Sequence, residues 1–218
     1  MDAYAMVAAE RVAVADLLEE LTDSECRTQS LCRGWTVQDV AAHVVMVLEI
    51  TANEFLKTFV RSRGSFDRAN ERLTARWSAR GVRELAQALR NEADSAFAPP
   101  GAGPEAMLAD TLVHGLDISR PLAIERELPA DSVRTALQFL VNLNLPPGQP
   151  GPVLVPRRLL DGLMLVADDV DFSHGAGRPV YGSGADMLLA ITGRVAGANQ
   201  LSGSGANTLL GRLVTARR

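Results

Sequence analysis

The sequence is poor in cysteine, has no long apolar run and carries no excess of positive charge. Its two cysteines, Cys26 and Cys32, are too widely spaced for a C-x-x-C motif and too few for a disulfide framework, so we expect reduced thiols, with one bridge between them as the alternative. No stretch approaches the ~20 consecutive apolar residues of a transmembrane helix. The N-terminal residues also lack the basic segment and apolar run of a secretory signal. We therefore expect a soluble cytoplasmic protein without a membrane partner.

The charges are nearly balanced and are dispersed along the chain. There are 22 lysine and arginine residues against 26 aspartate and glutamate residues, which gives a net charge of −4. This balance disfavours a dedicated nucleic-acid surface, so we expect no nucleic-acid partner. Because 47% of the 218 residues are apolar, the chain can bury the core of one large domain or two small ones.

Apolar residues recur at helical spacing through most of the first 145 residues. Thr36 has the features of an N-cap, with Asp39 three residues later in the position of a capping box. The pattern predicts helices over 3–22, from Thr36 to about Arg61, over 66–98 with a break near Gly81, over 105–120, and over 132–143.

Proline and glycine are concentrated between residues 146 and 156, where a packed helix or a central strand would not tolerate them. The sequence therefore predicts a helical domain over 1–145, a linker over 146–156 and a small α+β domain over 157–218. In the last of these we expect strands at 163–166 and 179–182, and helices at about 185–194 and 206–213. The expected fold class is mainly α.

Three side chains that can bind a metal ion lie on these apolar helices. Asp110 and His114 share one stripe of their helix with Asp117, since they are spaced by four and three residues. His43 lies on the apolar face of its own helix and should point inward. If the two helices pack together, two imidazoles and one carboxylate would leave a divalent ion with open positions, as in catalytic metal sites.

Other interpretations of these residues stay open. A buried histidine is commonly satisfied by a backbone carbonyl. Asp110 and His114 could also simply pair with each other in a helical bundle without a metal ion. Cys26 or Cys32 could add a thiolate ligand, although reduced structural thiols are the simpler interpretation. His174 lies in a predicted turn and is expected at the surface.

Two segments closely resemble a known family. Residues 31–43, LCRGWTVQDVAAH, resemble the motif before the metal histidine of the mycothiol-dependent maleylpyruvate isomerase family, a branch of the DinB-like four-helix bundles. Residues 110–117, DTLVHGLD, look like the second segment of that family, where a carboxylate four residues before a histidine completes the site. Residues 163–171, 181–184 and 188–194 are similar to the small C-terminal domain that many members carry.

The resemblance implies a DinB-like four-helix bundle followed by a small α+β domain. It implies a divalent metal ion held by His43, Asp110 and His114, with zinc first and nickel, manganese or iron as alternatives. Mycothiol would be the thiol cosubstrate, and the reaction would be isomerisation of a small electrophile or thiol transfer to it. A non-catalytic metal-binding or thiol-binding regulatory protein is the alternative. We expect a monomer or a homodimer.

One departure from the family concerns a ligand. The family usually has glutamate where this chain has Asp110, whose side chain is shorter by one methylene. Asp110 would therefore bind the metal ion directly if its helix is shifted, or would bind it through a water molecule. Otherwise it would bind the ion more weakly, or bind a different metal. Asp117 matches a family aspartate and could accept a hydrogen bond from the ring N–H of a ligand histidine, with a role in helix packing or capping as the alternative. Arg194 could bind a substrate or cofactor carboxylate, although an arginine at a helix end more often caps carbonyls.

Overall fold

A computed structural model of the chain describes residues 2–98, 103–143 and 158–216. Within these ranges it has eleven α-helices and one three-stranded sheet, so the fold is mainly α, as the sequence predicts. None of the described helices is both long and apolar enough to cross a bilayer. The DinB-like four-helix arrangement stays a prediction.

The chain divides into two compact units, Met1–Phe97 with Asp117–Glu125, and Ala98–Leu116 with Arg126–Arg218. The domain boundaries expected from the sequence, 1–145 and 157–218, stay a prediction. The expected linker over 146–156 lies outside the described residues.

The first unit is helical. Its helices are α1 (Ala3–Glu20), α2 (Asp23–Cys26), α3 (Val37–Glu49), α4 (Ala52–Arg61), α5 (Phe66–Trp77) and α6 (Val82–Asn91). Helix α1 packs against α6, α3 packs against α5 and α6, and α4 packs against α5. The apolar side chains at the centre of this unit include Val14, Leu18, Val40, Val45, Leu73, Leu85, Leu89 and Ile118.

Helix α3, which carries His43, begins where the sequence predicts. Thr36 is the N-cap: its hydroxyl accepts from the Asp39 N–H at 3.2 Å, and the Asp39 carboxylate accepts from the Thr36 N–H at 2.8 Å. Ser78 of the neighbouring segment donates to the other oxygen of Asp39 at 2.7 Å. These bonds satisfy N–H groups that have no partner within the helix, and so fix the start of α3.

The predicted continuous helix from Thr36 to about Arg61 is wrong, because the segment forms two helices. Ile50 has an extended backbone, with φ −68° and ψ 132°, and ends α3. Thr51 then caps α4 in a second capping box with Glu54. The spacing Thr51-x-x-Glu54 is visible in the sequence, so this local signal outweighs the continuous helical pattern.

The second unit combines helices with the sheet. It contains α7 (Pro104–Ser119) as far as Leu116, α8 (Ala130–Asn142), β1 (Leu163–Ala167), β2 (Phe172–Gly175), β3 (Arg178–Tyr181), α9 (Gly184–Ile191), α10 (Val195–Ala198) and α11 (Ala206–Ala216). The strand order is β2-β1-β3, with β2 antiparallel and β3 parallel to β1. Helix α8 packs against α9, and α10 packs against α9 and α11.

Strands β1 and β3 lie where the sequence predicts them, but β2 occupies the predicted turn around His174. His174 pairs with Leu165 of β1 and is half-buried rather than exposed. Gly175 ends this short edge strand with φ +85°, and a Cβ atom there would lie 2.5 Å from the carbonyl oxygen of Leu163. The backbone at the end of β2 therefore requires glycine at this position.

Candidate metal centre

Helix α7 brings a nitrogen and an oxygen donor together in a buried environment. Residues 106–119 are all buried, and Asp110 and His114 lie one turn apart. Nε2 of His114 is 3.5 Å from Oδ1 of Asp110, with the two side chains only 10% and 12% exposed. Two donors that each lie about 2.1 Å from a tetrahedral zinc ion are about 3.4 Å apart. The observed distance therefore suits two neighbouring ligands of one ion.

His43 lies on α3 and is half-buried. Its ring contacts the ring of Trp35, with centroids 5.2 Å apart and planes tilted by 51°. Trp35 directly precedes the Thr36 cap of the same helix, so the residues that start α3 also restrain the orientation of the His43 ring. The sequence pattern gives no signal for this contact of Trp35.

The loop before α3 is bound to the last turn of α7. Asp117 is fully buried, and its Oδ2 accepts a hydrogen bond from Sγ of Cys32 at 3.1 Å. The carbonyl of Asp117 accepts from the Leu31 N–H at 3.2 Å, and the Trp35 N–H donates to the Cys32 carbonyl at 3.1 Å. The predicted role of Asp117, as an acceptor for the ring of a ligand histidine, stays a prediction. The sequence pattern gives no signal for its contact with Cys32.

The other cysteine has the properties of a structural residue. Cys26 is buried at the end of α2, and burial raises the pKa of its thiol, with a further contribution from the carboxylates of Asp23 and Glu25. A raised pKa disfavours the thiolate, which is the form that binds metals and attacks electrophiles.

Arg194 lies in the second unit, between α9 and α10. Its Nη1 donates to the carbonyl of Thr192 at 2.8 Å, and its backbone N–H donates to the carbonyl of Leu189 at 2.7 Å. These bonds cap carbonyls at the end of α9. The binding of a substrate or cofactor carboxylate by Arg194 stays a prediction.

Two groups of described side chains could hold a metal ion. One is His43, Asp110 and His114, which is the set expected from the sequence, and the other is Cys32, His114 and Asp117. The first offers two imidazole nitrogens and a carboxylate oxygen, a donor set typical of divalent ions in catalytic sites. The second would add a thiolate and shares His114 with the first.

These observations describe a mainly helical protein in which two histidines and an aspartate form a group that could hold a metal ion. The chain belongs to the family described as the mycothiol maleylpyruvate isomerase N-terminal domain, whose family model matches residues 7–119. This match confirms the resemblance stated from the sequence, and its range includes His43, Asp110 and His114.

Solved structures extend the comparison over most of the chain. A crystal structure of the mycothiol-dependent maleylpyruvate isomerase matches with a TM-score of 0.62 and 15% sequence identity, covering 94% of this chain and 92% of that chain. A structure of a histidine-to-alanine mutant of the isomerase gives the same values. At this identity the likeness concerns the fold alone. No curated protein matches the chain.

Proposed function

We propose that this chain is a metal-dependent enzyme that uses a low-molecular-weight thiol, mycothiol, on a small electrophile. The reaction is either isomerisation of the electrophile or transfer of the thiol to it. The observation that carries the proposal is the group formed by His43, Asp110 and His114, which has the donor atoms for one divalent ion. Membership of the mycothiol maleylpyruvate isomerase N-terminal domain family supports the choice of thiol.

His43, Asp110 and His114 would hold the ion, with zinc as the first candidate and nickel, manganese or iron as alternatives. When bound, the ion would favour the thiolate form of a coordinating thiol, which is the nucleophilic form. The distance of 3.5 Å between Asp110 Oδ1 and His114 Nε2 supports direct binding through both side chains, despite the short side chain of Asp110.

A neighbouring aromatic ring orients one of the ligands, and burial excludes water from the other two. Trp35 restrains the ring of His43 by direct contact. The burial of Asp110 and His114 keeps water away from them, and a low local dielectric strengthens the attraction between their charges and a cation. Arg194 would bind a carboxylate of the substrate through two parallel N–H···O bonds from its planar guanidinium.

An assay of thiol and product together tests the proposal. The metal-loaded protein is incubated with mycothiol and a panel of electrophiles that includes cis-dicarboxylic alkenes and epoxides. Isomerisation gives product without net loss of thiol, since the thiol that adds is eliminated again, whereas transfer consumes one thiol for each product molecule. His114→Ala should lower either rate at least about 100-fold, and His174→Ala, on β2, is the matched control that should retain activity.

A non-catalytic protein that binds a metal or a thiol is the second candidate. It is favoured by Asp110, which stands where the family usually has glutamate. Protein that is fully loaded with metal and binds mycothiol, yet converts no member of the panel, would support this second function and contradict the first.

A further inference from the structure

The outward face of α4 exposes apolar side chains. Leu56 and Val60 are the most exposed large apolar side chains in the described ranges, at 59% and 67%, and they lie one turn apart. No residue of α4 is buried, although its inner side packs on α5 through the ring of Phe55, which lies 5.9 Å from that of Phe66. Phe66, at the start of α5, is itself 39% exposed. We refer to the exposed apolar side chains Leu56, Val60 and Phe66 as the apolar strip of the hairpin of α4 and α5, residues 52–77.

The hairpin that carries this apolar strip is rich in basic side chains. The hairpin of α4 and α5 has six lysine and arginine residues and three carboxylates, in a chain whose net charge is −4. Lys57 and Arg61 are exposed and directly follow Leu56 and Val60 in α4. Each pair is spaced by four residues, so the basic pair forms a stripe next to that of the apolar pair. Four exposed basic residues of the hairpin form no ion pair in the part of the chain that the structure describes: Lys57, Arg61, Arg63 and Arg68.

We propose that the hairpin of α4 and α5 binds the surface of an anionic phospholipid bilayer. Exposed aliphatic and phenyl groups can enter the boundary between headgroups and acyl chains while adjacent basic groups contact lipid phosphates. A hairpin bound at the bilayer surface needs no membrane-spanning helix.

The composition of the strip favours lipid over the other anionic partners. Leucine and valine seldom supply the dominant binding energy at protein interfaces, where tryptophan, tyrosine and arginine are enriched. Duplex nucleic acid would use the basic side chains, but it would leave Leu56 and Val60 without an apolar partner, because phosphate contacts dominate such binding. A bilayer surface satisfies both the apolar and the basic groups.

Co-sedimentation of the full chain with vesicles tests this proposal. Vesicles of equimolar phosphatidylglycerol and phosphatidylcholine should pellet the protein, and pure phosphatidylcholine vesicles should not. Lys57→Glu with Arg61→Glu should lower the partition coefficient at least about tenfold. Leu56→Ser with Val60→Ser should do the same without a change of charge, again by about tenfold.

The controls carry the same changes at exposed positions outside the hairpin. Arg83→Glu with Arg178→Glu matches the change in charge, and Val214→Ser matches the loss of an exposed apolar group. Circular dichroism melts establish that each variant is folded. The proposal is overturned if wild-type protein fails to bind the anionic vesicles, or if the hairpin variants bind as well as their controls. Binding that depends on the basic residues but not on Leu56 and Val60, and that duplex DNA or polyglutamate reproduces, would also overturn it.

Discussion

The thiol of Cys32 donates a hydrogen bond to the carboxylate of Asp117 over a distance of 3.1 Å, although 85 positions separate them in the sequence. Asp117 is fully buried, where a carboxylate depends on hydrogen-bond donors. The loop that contains Cys32 continues to Trp35, whose ring contacts His43. The bond therefore ties the end of α7 to the segment that orients His43.

Replacement of Cys32 tests this connection. Cys32→Ala should lower the free energy of unfolding by about 1–3 kcal/mol, because the buried carboxylate of Asp117 loses a donor. Cys32→Ser retains a donor and should cost less. Urea unfolding of the two variants measures the difference, and equal stability of Cys32→Ala and the wild type would contradict the structural role of this bond.

The contact between Trp35 and His43 leads to a prediction on metal affinity. Trp35→Leu removes the aromatic partner and should weaken metal binding about tenfold, since groups that orient a ligand typically affect affinity by this amount. Trp35→Phe should retain most of the affinity, and Trp77→Phe, which alters another tryptophan of the same unit, should leave it unchanged. Competition with a chelator of known affinity measures the metal affinity of each variant. An effect of Trp77→Phe as large as that of Trp35→Leu would show that the loss is not specific to His43.

The two cysteines should differ in reactivity. Cys32 is half-buried, whereas Cys26 is only 2% exposed and its pKa is raised, first by burial. In the native protein at pH 8, iodoacetamide should therefore alkylate Cys32 before Cys26, and modification of Cys26 should accelerate as the pH rises. Mass spectrometry of tryptic peptides distinguishes the sites. Faster modification of Cys26 would be inconsistent with its burial.

The cap of α3 should make stability depend on pH. Burial acts to raise the pKa of Asp39, but hydrogen bonds from Ser78 and Thr36 outweigh this effect and hold its pKa below the ordinary value. A carboxyl with a depressed folded-state pKa stabilises the protein above the unfolded-state pKa, about 3.9. This stabilisation is lost as the pH falls through the folded-state pKa.

Asp39→Asn should therefore cost about 1 kcal/mol at pH 7, and the cost should shrink as the pH falls below about 4. Chemical denaturation at several pH values measures this dependence. Asp161→Asn, at an exposed position, is a control that should change stability little at any of them. A cost for Asp39→Asn that stays constant from pH 7 to pH 3 would argue against an ionised Asp39 in the cap.

Local features of the fold could be predicted from the sequence because neighbouring residues produce them. The start of α3 depends on Thr36 and Asp39, and the stripe on α7 follows from the spacing of Asp110 and His114. The break at Ile50 could also have been found, since Thr51 and Glu54 have the spacing of a capping box. The helical apolar pattern shows no interruption at Ile50, so it does not by itself indicate the break between the two helices.

Contacts between distant residues could not be predicted in this way. Nothing near Cys32 in the sequence points to Asp117, because the packing of the chain brings them together. Strand β2 is four residues long and lies at the edge of the sheet, so its pairing with β1 depends more on tertiary context than on propensity. The prediction of a turn at His174 was wrong for this reason.

Metal analysis of protein purified without chelator or histidine tag tests the central claim most directly. We predict about one divalent ion per chain in the wild type and in His174→Ala, as expected for a single site. The variants His43→Ala and His114→Ala should contain almost none, and Asp110→Asn should contain less than the wild type. A full equivalent of metal in both His43→Ala and His114→Ala would contradict the proposed ligand set.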